Sequence, residues 1–232
     1  MYDKMSWFNP KAYYMFHTNI LEYDMNAASL SISERFKLLP EATIVRLKSL
    51  SKKQRVIQTG LIRRDDKEFS KAVDKKMIEV RQQFIDENNI QEDHLLSLHS
   101  DAIIFASRKR IKSEIDGIKF KCSATSHGYM RYNGLEMFYH ETFMDYKGGN
   151  KNLLEQQQMG ITQYLLRIFR YIDNYDPEIL DYMNKFQKNY LTDQLPEFVY
   201  PPFSLPGLNK YSNLDLFAFI AKVVLKEKAS WE

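Results

Sequence analysis

The sequence predicts an α+β protein in which strands and helices follow one another in partly separate blocks. Three observations indicate this class. A short apolar run ends on an acid at residues 20–24, an apolar stripe with helical spacing covers 69–84, and a segment rich in aromatic and β-prone residues, punctuated by glycines, covers 117–144. Because strands and helices are grouped rather than alternating one by one, we expect an α+β layout.

Composition predicts a folded protein. Of the 232 residues, 44% are hydrophobic and 27% are charged, a balance typical of globular chains, and the length suits one large or two small domains. No apolar run approaches the roughly 20 residues that span a bilayer, and no signal peptide is recognisable, so we expect no membrane association and a cytoplasmic location. The single cysteine, Cys122, cannot form an internal disulfide and is interpreted as a buried or inert thiol.

Positive charge is concentrated locally. The net charge is only +3, yet residues 46–64 contain seven cations and no acid, and a second basic cluster lies at 108–112. Such runs are typical either of a solvated surface or of a surface that binds a polyanion. Charge alone leaves both interpretations open.

The first third of the chain is predicted to be a strand followed by helices. Residues 11–24 have an extended pattern that places Glu22 and Asp24 on one face of a strand, because side chains alternate along it. A helical pattern from 31 to 50 is interrupted at Pro40. Gly60 is expected to break the chain again.

The middle of the chain predicts a long helix and then a hairpin. The helix covers about 69–88, with a buried stripe of Phe69, Val73, Met77, Val80 and Phe84. Two apolar runs follow, and the hairpin turn between them is expected to contain or adjoin His99, Ser100 and Asp101.

The last part predicts strands and then helices. Strands are expected over 117–144, a joint at 147–150, a helical stripe at 161–172, a proline-rich loop in "PEFVYPPFSLPG", and a final helix at about 213–228.

Asp24 and Asp101 are the candidate catalytic residues. Each is held at the end of an apolar strand-like run, and two carboxylates on neighbouring strands could share Mg²⁺, which prefers oxygen ligands. In a two-metal site one ion activates the attacking hydroxyl and the other stabilises the leaving oxygen. The alternative is that both are ordinary strand-end acids.

Four segments resemble motifs of family B DNA polymerases. "DMNAASLSI" at 24–32 is similar to motif A, D-x-x-S-L-Y-P-S-I. "KKQRVIQTG" at 52–60 is similar to motif B, K-x-x-x-N-S-x-Y-G, in its Lys and Gly. "HSDAIIF" at 99–105 resembles the D-T-D-S-I hairpin of motif C, with Asp101 at the second acid. "YMRYNGL" at 129–135 is similar to the K-K-R-Y element.

This resemblance, which covers residues 18 to about 140, implies a polymerase-like palm with an antiparallel sheet. The palm would occupy 1–147, with a short helical fingers insertion at about 31–66, and a helical, thumb-like region would follow at 148–232. It implies the following roles: catalysis and binding of two Mg²⁺ ions by Asp24 and Asp101, triphosphate binding by Lys52 and Arg55, a sugar contact by Ser29, and nucleic-acid binding by Arg63, Arg64, Arg131 and Tyr132.

The implied function is template-directed nucleotidyl transfer by a minimal, virus- or phage-type polymerase core or one subunit of a split enzyme. Its partners would be a primer-template, nucleoside triphosphates and possible further polymerase subunits, in the host cytoplasm if viral. Ser29 replaces the motif A tyrosine, which implies weak discrimination against a 2′-hydroxyl. In motif B, Asn-Ser-x-Tyr is replaced by Val56, Ile57, Gln58 and Thr59, and His99 replaces the first acid of motif C. The departures in motifs B and C keep open a catalytically inactive, polymerase-derived subunit that binds nucleic acid or assists assembly. A regulator that acts through its helical C-terminal third is a third alternative.

Overall fold

The structure, a computed structural model, describes residues 4–148, 162, 164–192, 194 and 214–231. Within these ranges the α+β class is confirmed. The strands are β1 Ser6–Phe8, β2 Tyr14–Met15, β3 Ile20–Met25, β4 Leu95–His99, β5 Ala102–Ala106, β6 Glu114–Ile115, β7 Ile118–Ser126, β8 Gly128–Tyr132, β9 Leu135–Tyr139 and β10 Met144–Lys147. The helices are α1 Ala28–Arg35, α2 Glu41–Ser49, α3 Lys52–Asp65, α4 Lys67–Glu87, α5 at residues 164–173, α6 Ile179–Leu191 and α7 Leu214–Lys228.

The chain divides into two compact units that are not contiguous in sequence. The first contains Met1–Ala12 and Ile20–Thr125, and the second contains Tyr13–Asn19 and Ser126–Glu232. The boundary that the sequence predicts at residue 147 falls inside the second unit.

The first unit is built on a six-stranded sheet. Its strand order is β1-β4-β5-β3-β7-β6, so β3 lies between the second strand of the β4–β5 hairpin and β7. β3 is antiparallel to β5, and β5 is antiparallel to β4. The predicted hairpin is confirmed, since β4 ends at His99 and β5 begins at Ala102.

Helix α4 covers one face of this sheet. The five residues of the predicted stripe are all buried, and they pack with Met25, Leu98, Ile103 and Phe105 from the strands. The helix begins after Asp66, whose carboxylate accepts a 2.8 Å hydrogen bond from the N–H of Phe69. Local capping and an apolar stripe therefore give this helix its place and its orientation.

Three helices, α1 to α3, connect β3 to α4. Pro40 separates α1 from α2, as the sequence predicts. Ser51 and Gln54 form a capping box that starts α3. The expectation that Gly60 breaks the chain is wrong: Gly60 lies inside α3, because the residues on both sides favour a helix and one glycine costs only about 1 kcal/mol.

The second unit combines a four-stranded antiparallel sheet with helices. The strand order is β10-β9-β8-β2, and β2 comes from the short N-terminal excursion at 13–19. The core joins the sheet to α5, α6 and α7 through Met130, Tyr139, Phe169, Met183 and Ile220 among others. The predicted last helix is confirmed by α7, and the predicted stripe at 161–172 is confirmed by α5 from residue 164 onward.

Several predictions lie wholly or partly outside the described residues. They concern the proline-rich loop, residue 161 and the last residues of the joint at 147–150. Within the described ranges, no helix is both long and apolar enough to cross a bilayer.

Candidate functional site

The structure brings Asp24 and Asp101 together. Asp24 is the penultimate residue of β3 and pairs with Ala102, the first residue of β5. The N–H of Met25 donates a 3.0 Å hydrogen bond to the carbonyl oxygen of Asp101. The two acids are therefore neighbours at one end of the first unit's sheet, fixed by main-chain pairing.

Asp24 points away from α4. Tyr23 contacts Phe84 of α4, with ring centroids 5.5 Å apart. Because side chains alternate along a strand, Asp24 projects from the opposite face of the sheet. Both acids are half-buried. Both carboxylates therefore remain partly open to solvent, so an ion or a substrate oxygen could reach them.

The charges of the two acids interact. Burial raises the pKa of the Asp101 carboxyl above its ordinary value, and the nearby negative charge of Asp24 raises it further. A main-chain hydrogen bond and the cation of Arg81 lower it, and the balance is upward. Two carboxylates that repel one another are stabilised by a shared cation.

The donor set fits Mg²⁺ in a minimal form. In the part of the chain that is described, neither Asp24 nor Asp101 takes part in an ion pair, so both carboxylates are available as oxygen ligands. Among the same residues, no group of three His, Cys, Asp or Glu side chains could hold a metal ion. Any ion here would depend on this pair together with substrate oxygens and water.

His99 occupies the position where motif C of the polymerase family has its first acid. It is the last residue of β4, and its ring meets the edge of Phe8 with centroids 5.3 Å apart. The aromatic contact supports the interpretation of His99 as a structural residue.

Sequence reasoning missed Arg81, which supports the turn that carries Asp101. Its side chain is 1% exposed. The guanidinium donates hydrogen bonds of 2.6–2.9 Å to the carbonyl oxygens of Lys4, Met5 and Ser100. Burial lowers the pKa of Arg81 to about 10. A signal was present, because Arg81 follows Met77 by four residues and therefore lies on the buried stripe of α4.

Ser29 and Arg63 contact each other. Nη1 of Arg63 donates a 3.0 Å hydrogen bond to Oγ of Ser29, and Nε donates a 3.3 Å bond to Oγ of Ser70. Arg63 also forms an ion pair with Asp74. Ser29, the predicted sugar contact, and Arg63, a predicted nucleic-acid contact, therefore link the start of α1 to the end of α3. Arg63 also links α3 to α4.

The other predicted cations of α3 differ in exposure. Lys52 and Arg64 are exposed, whereas Arg55 is half-buried. Arg64 pairs with the adjacent Asp65. Nε of Arg55 is buried, and the described residues offer it no hydrogen-bond acceptor. An anion brought to this part of α3 would provide one.

One face of α3 is open. Lys52, Val56 and Gly60 follow one another at four-residue spacing, so they share a face of the helix. Val56 is 67% exposed, and a Cβ added at Gly60 would meet nothing within 4 Å. A cation followed by an apolar surface could accept a triphosphate and a flat base.

Arg131 and Tyr132 belong to the second unit. Burial raises the pKa of the Tyr129 hydroxyl, and Arg131 lies close enough for its cation to lower that pKa by a smaller amount. That hydroxyl donates a 2.8 Å bond to the fully buried Glu136. The Tyr132 ring packs on Phe219, with centroids 5.1 Å apart. Both predicted nucleic-acid contacts are therefore at least partly engaged inside their own unit.

Cys122 is exposed on β7, so the buried alternative for its thiol is wrong. β7 is next to the edge strand of the sheet, and its residues 121–123 are exposed.

The model of one protein family matches residues 1–207, which is most of the chain. Its description is Bacteriophage PBS1 gene 130 protein. The chain belongs to this family. Membership in the PBS1 gene 130 protein family agrees with the expectation of a phage-type protein, and the family description assigns no activity. No curated protein matches this PBS1 gene 130 family member.

Proposed function

We propose that the protein is a Mg²⁺-dependent, template-directed nucleotidyltransferase with a polymerase-type palm, either a minimal DNA polymerase-like core or the catalytic subunit of a split polymerase. The observation that carries the proposal is the adjacency of Asp24 and Asp101, which are far apart in sequence and are neighbours through the β3–β5 pairing. The geometry supports a shared cation on the face of the sheet opposite α4.

In this proposal Asp24 and Asp101 would hold two Mg²⁺ ions at the primer end. When bound, the ions would supply activation of the primer 3′-hydroxyl and neutralisation of charge on the transferring phosphoryl group. Arg81 of α4 holds the turn that carries Asp101 through its hydrogen bond to the carbonyl oxygen of Ser100. Because the reaction depends mainly on positioning and charge, rigid carboxylates would satisfy most of its demands.

Helix α3 would receive the nucleotide. Lys52 and Arg55 would contact the triphosphate, and the open surface at Val56 and Gly60 would pack against the base pair being formed. Ser29, which accepts a hydrogen bond from Arg63, lies at the position where motif A of family B DNA polymerases has a tyrosine that packs under the sugar. A serine is too small to exclude a 2′-hydroxyl, so weak sugar discrimination is expected.

The decisive experiment is extension of a labelled primer on a template with Mg²⁺, with deoxy- and ribonucleotides supplied separately. Asp24→Asn and Asp101→Asn should each abolish extension, whereas Asp93→Asn should not, because Asp93 lies in the loop before β4 with 79% of its side chain exposed. Extension that persists in either Asn variant of the acid pair would overturn the proposal.

A second candidate is a catalytically inactive, polymerase-derived subunit that binds nucleic acid or assists assembly. His99 in place of the first motif C acid favours it, as does the limitation of the carboxylate site to two acids among the described residues. Binding of a primer-template by the wild type, without extension under any nucleotide or metal condition, would support this candidate.

A further inference from the structure

β3 and β7 are neighbours in the sheet, and two hydrogen bonds fix their register. The N–H of Asn26 donates a 2.8 Å hydrogen bond to the carbonyl oxygen of Lys119. Oγ of Ser123 donates a 3.4 Å hydrogen bond to the carbonyl oxygen of Glu22. Both agree with one antiparallel register, in which Tyr23 lies opposite Cys122.

In this register Lys121 lies opposite Asp24. Residues that face each other across two strands project from the same side of the sheet, with Cβ atoms about 5 Å apart. Lys121 therefore emerges beside the acid pair, on the face opposite α4. It is exposed, and within the described ranges it forms no ion pair with Asp24 or with any other acid.

Lys119 offers a natural comparison on the same strand and the same face. It is exposed as well, but its cross-strand neighbour in register is Glu114 of β6, a residue of opposite charge. β6 pairs with β7 at Ile118 and Lys119, and the N–H of Phe120 donates a 2.7 Å hydrogen bond to the carbonyl oxygen of Ser113. Beyond Phe120, the part of the chain that the structure describes places no further strand on the outer edge of β7. Lys121 is thus the cation of this strand that borders both the acid pair and the open edge.

We propose that Lys121 binds a phosphate group at the Asp24–Asp101 site. The inference rests on the proposed function and deepens it. Neither the polymerase-like motifs nor the basic clusters at 46–64 and 108–112 include a residue of β7. An ammonium group on a flexible stem is a suitable point charge for a phosphate oxygen. The phosphate belongs either to the primer backbone or to the incoming triphosphate, and the two sources share this chemistry.

The opposing interpretation is that Lys121 only offsets the charge of Asp24. Cross-strand and surface charge pairs stabilise a protein only weakly, and such a role would leave binding of nucleic acid and of nucleotide unchanged. The two interpretations therefore differ either in the salt dependence of duplex binding or in KM for the nucleotide.

The test is fluorescence anisotropy of a labelled primer-template duplex with the full chain, over a range of salt concentrations. We compare the wild type, Lys121→Gln and Lys119→Gln, after circular dichroism has shown equal folding. A lost phosphate contact lowers the magnitude of the slope of log K against log salt by about 1. Across a fourfold rise in salt, wild-type affinity should then fall about 3.5-fold more than that of Lys121→Gln. Lys119→Gln should keep the wild-type slope.

Steady-state extension distinguishes the two phosphate sources. If the phosphate belongs to the triphosphate, Lys121→Gln raises KM for the nucleotide and leaves the duplex slope unchanged; if it belongs to the primer, the slope changes instead. Wild-type values of both the slope and KM in Lys121→Gln would overturn the inference, as would equal losses in the two lysine variants.

The same experiments distinguish failure of the proposed function from failure of the Lys121 inference. A changed slope in Lys121→Gln, in a protein that never extends a primer, would keep the phosphate contact and reject the catalysis. Normal extension by Lys121→Gln with unchanged slope and KM would keep the catalysis and reject the contact. A wild type that binds neither duplex nor nucleotide would reject both.

Discussion

The main-chain N–H of Met25 and the carbonyl oxygen of Asp101 are joined by a hydrogen bond of 3.0 Å. This bond fixes the two acidic segments to each other through the backbone, without help from either carboxylate. Replacing Asp24 or Asp101 by Asn therefore removes charge while the pairing of β3 with the hairpin persists. Such variants report on the electrostatics of the site rather than on its assembly.

Mg²⁺ should stabilise the protein through the acid pair. A ligand that binds only the folded state at ten times its Kd raises the free energy of unfolding by about 1.4 kcal/mol. We expect thermal melts of the wild type to shift upward with Mg²⁺, and those of Asp24→Asn and Asp101→Asn to shift little. The exposed-loop variant Asp93→Asn serves as the control and should behave like the wild type. Equal shifts in all four proteins would place the ion elsewhere.

The stability of the metal-free protein should depend on the protonation of Asp101. Burial and the charge of Asp24 raise its pKa in the folded state above the unfolded value, so folding favours the protonated carboxyl. This contribution is complete below the unfolded pKa and is lost as the pH rises through the raised folded pKa. Asp101→Asn cannot ionise and should escape that loss.

The measurement is chemical denaturation in the presence of a chelator at several pH values. The advantage of Asp101→Asn over the wild type should grow as the pH rises through the acidic range and then level off. A difference that is independent of pH would contradict the proposed charge interaction. Excess Mg²⁺ should reverse the ranking at neutral pH.

Arg81→Met should destabilise the first unit strongly. The substitution removes the donor to the carbonyl oxygens of Lys4 and Ser100, whereas the carbonyl oxygen of Met5 keeps the N–H of Ser100. Loss of each hydrogen bond from a charged donor costs about 1.5–3 kcal/mol. The midpoint of urea unfolding should fall accordingly, whereas Arg64→Met, on the exposed surface of α3, should leave the midpoint near that of the wild type. Equal midpoints for the two variants would show that Arg81 does not hold the turn.

Gly60→Ala should separate stability from activity. Added methyl bulk meets no atom within 4 Å at this position, and alanine favours a helix interior by about 1 kcal/mol. The variant should therefore unfold at a higher urea concentration. If the open face of α3 packs against a base pair, the same methyl group should slow primer extension, and the two readouts should move in opposite directions.

Gly128→Ala provides the contrast for this measurement. A Cβ at Gly128 would lie 2.7 Å from the ring of Phe169, so the second unit's core must shift. Overpacking of this kind costs about 1–3 kcal/mol. A stabilising effect of Gly128→Ala, or a destabilising effect of Gly60→Ala, would contradict the packing described for these two glycines.

The elements that the sequence predicts well are those with local causes. Helix α4 follows from one apolar stripe and one capping residue, Asp66, and the β4–β5 hairpin follows from two apolar runs around a polar turn. The positions of the acids at 24 and 101 beside strand-like runs also follow from local pattern, whereas their adjacency depends on the β3–β5 pairing, which the sequence leaves open. Each of these inferences needs only a short window of sequence.

The features that the sequence does not reveal depend on long-range pairing or on one unusual side chain. Nothing local indicates that β7 lies next to β3, so Lys121 could not be connected with Asp24. Arg81 is a charged residue that lies on the buried stripe of α4. Its hydrogen-bond acceptors are main-chain oxygens, so they do not depend on the residue types at those positions and cannot be recognised from the sequence. Gly60 lies inside α3 because the helix preference of the neighbouring residues exceeds the cost of one glycine.

The excursion of residues 13–19 into the second unit has a consequence for synthesis of the protein. Tyr14 pairs with Met130, and Phe16 packs on Phe169, so neither finds its partner until long after it has left the ribosome. During that interval a nascent chain with most of the first unit complete would still display aromatic side chains near its N-terminus. Translation therefore passes through a stage in which these side chains are exposed to chaperones or to other nascent chains.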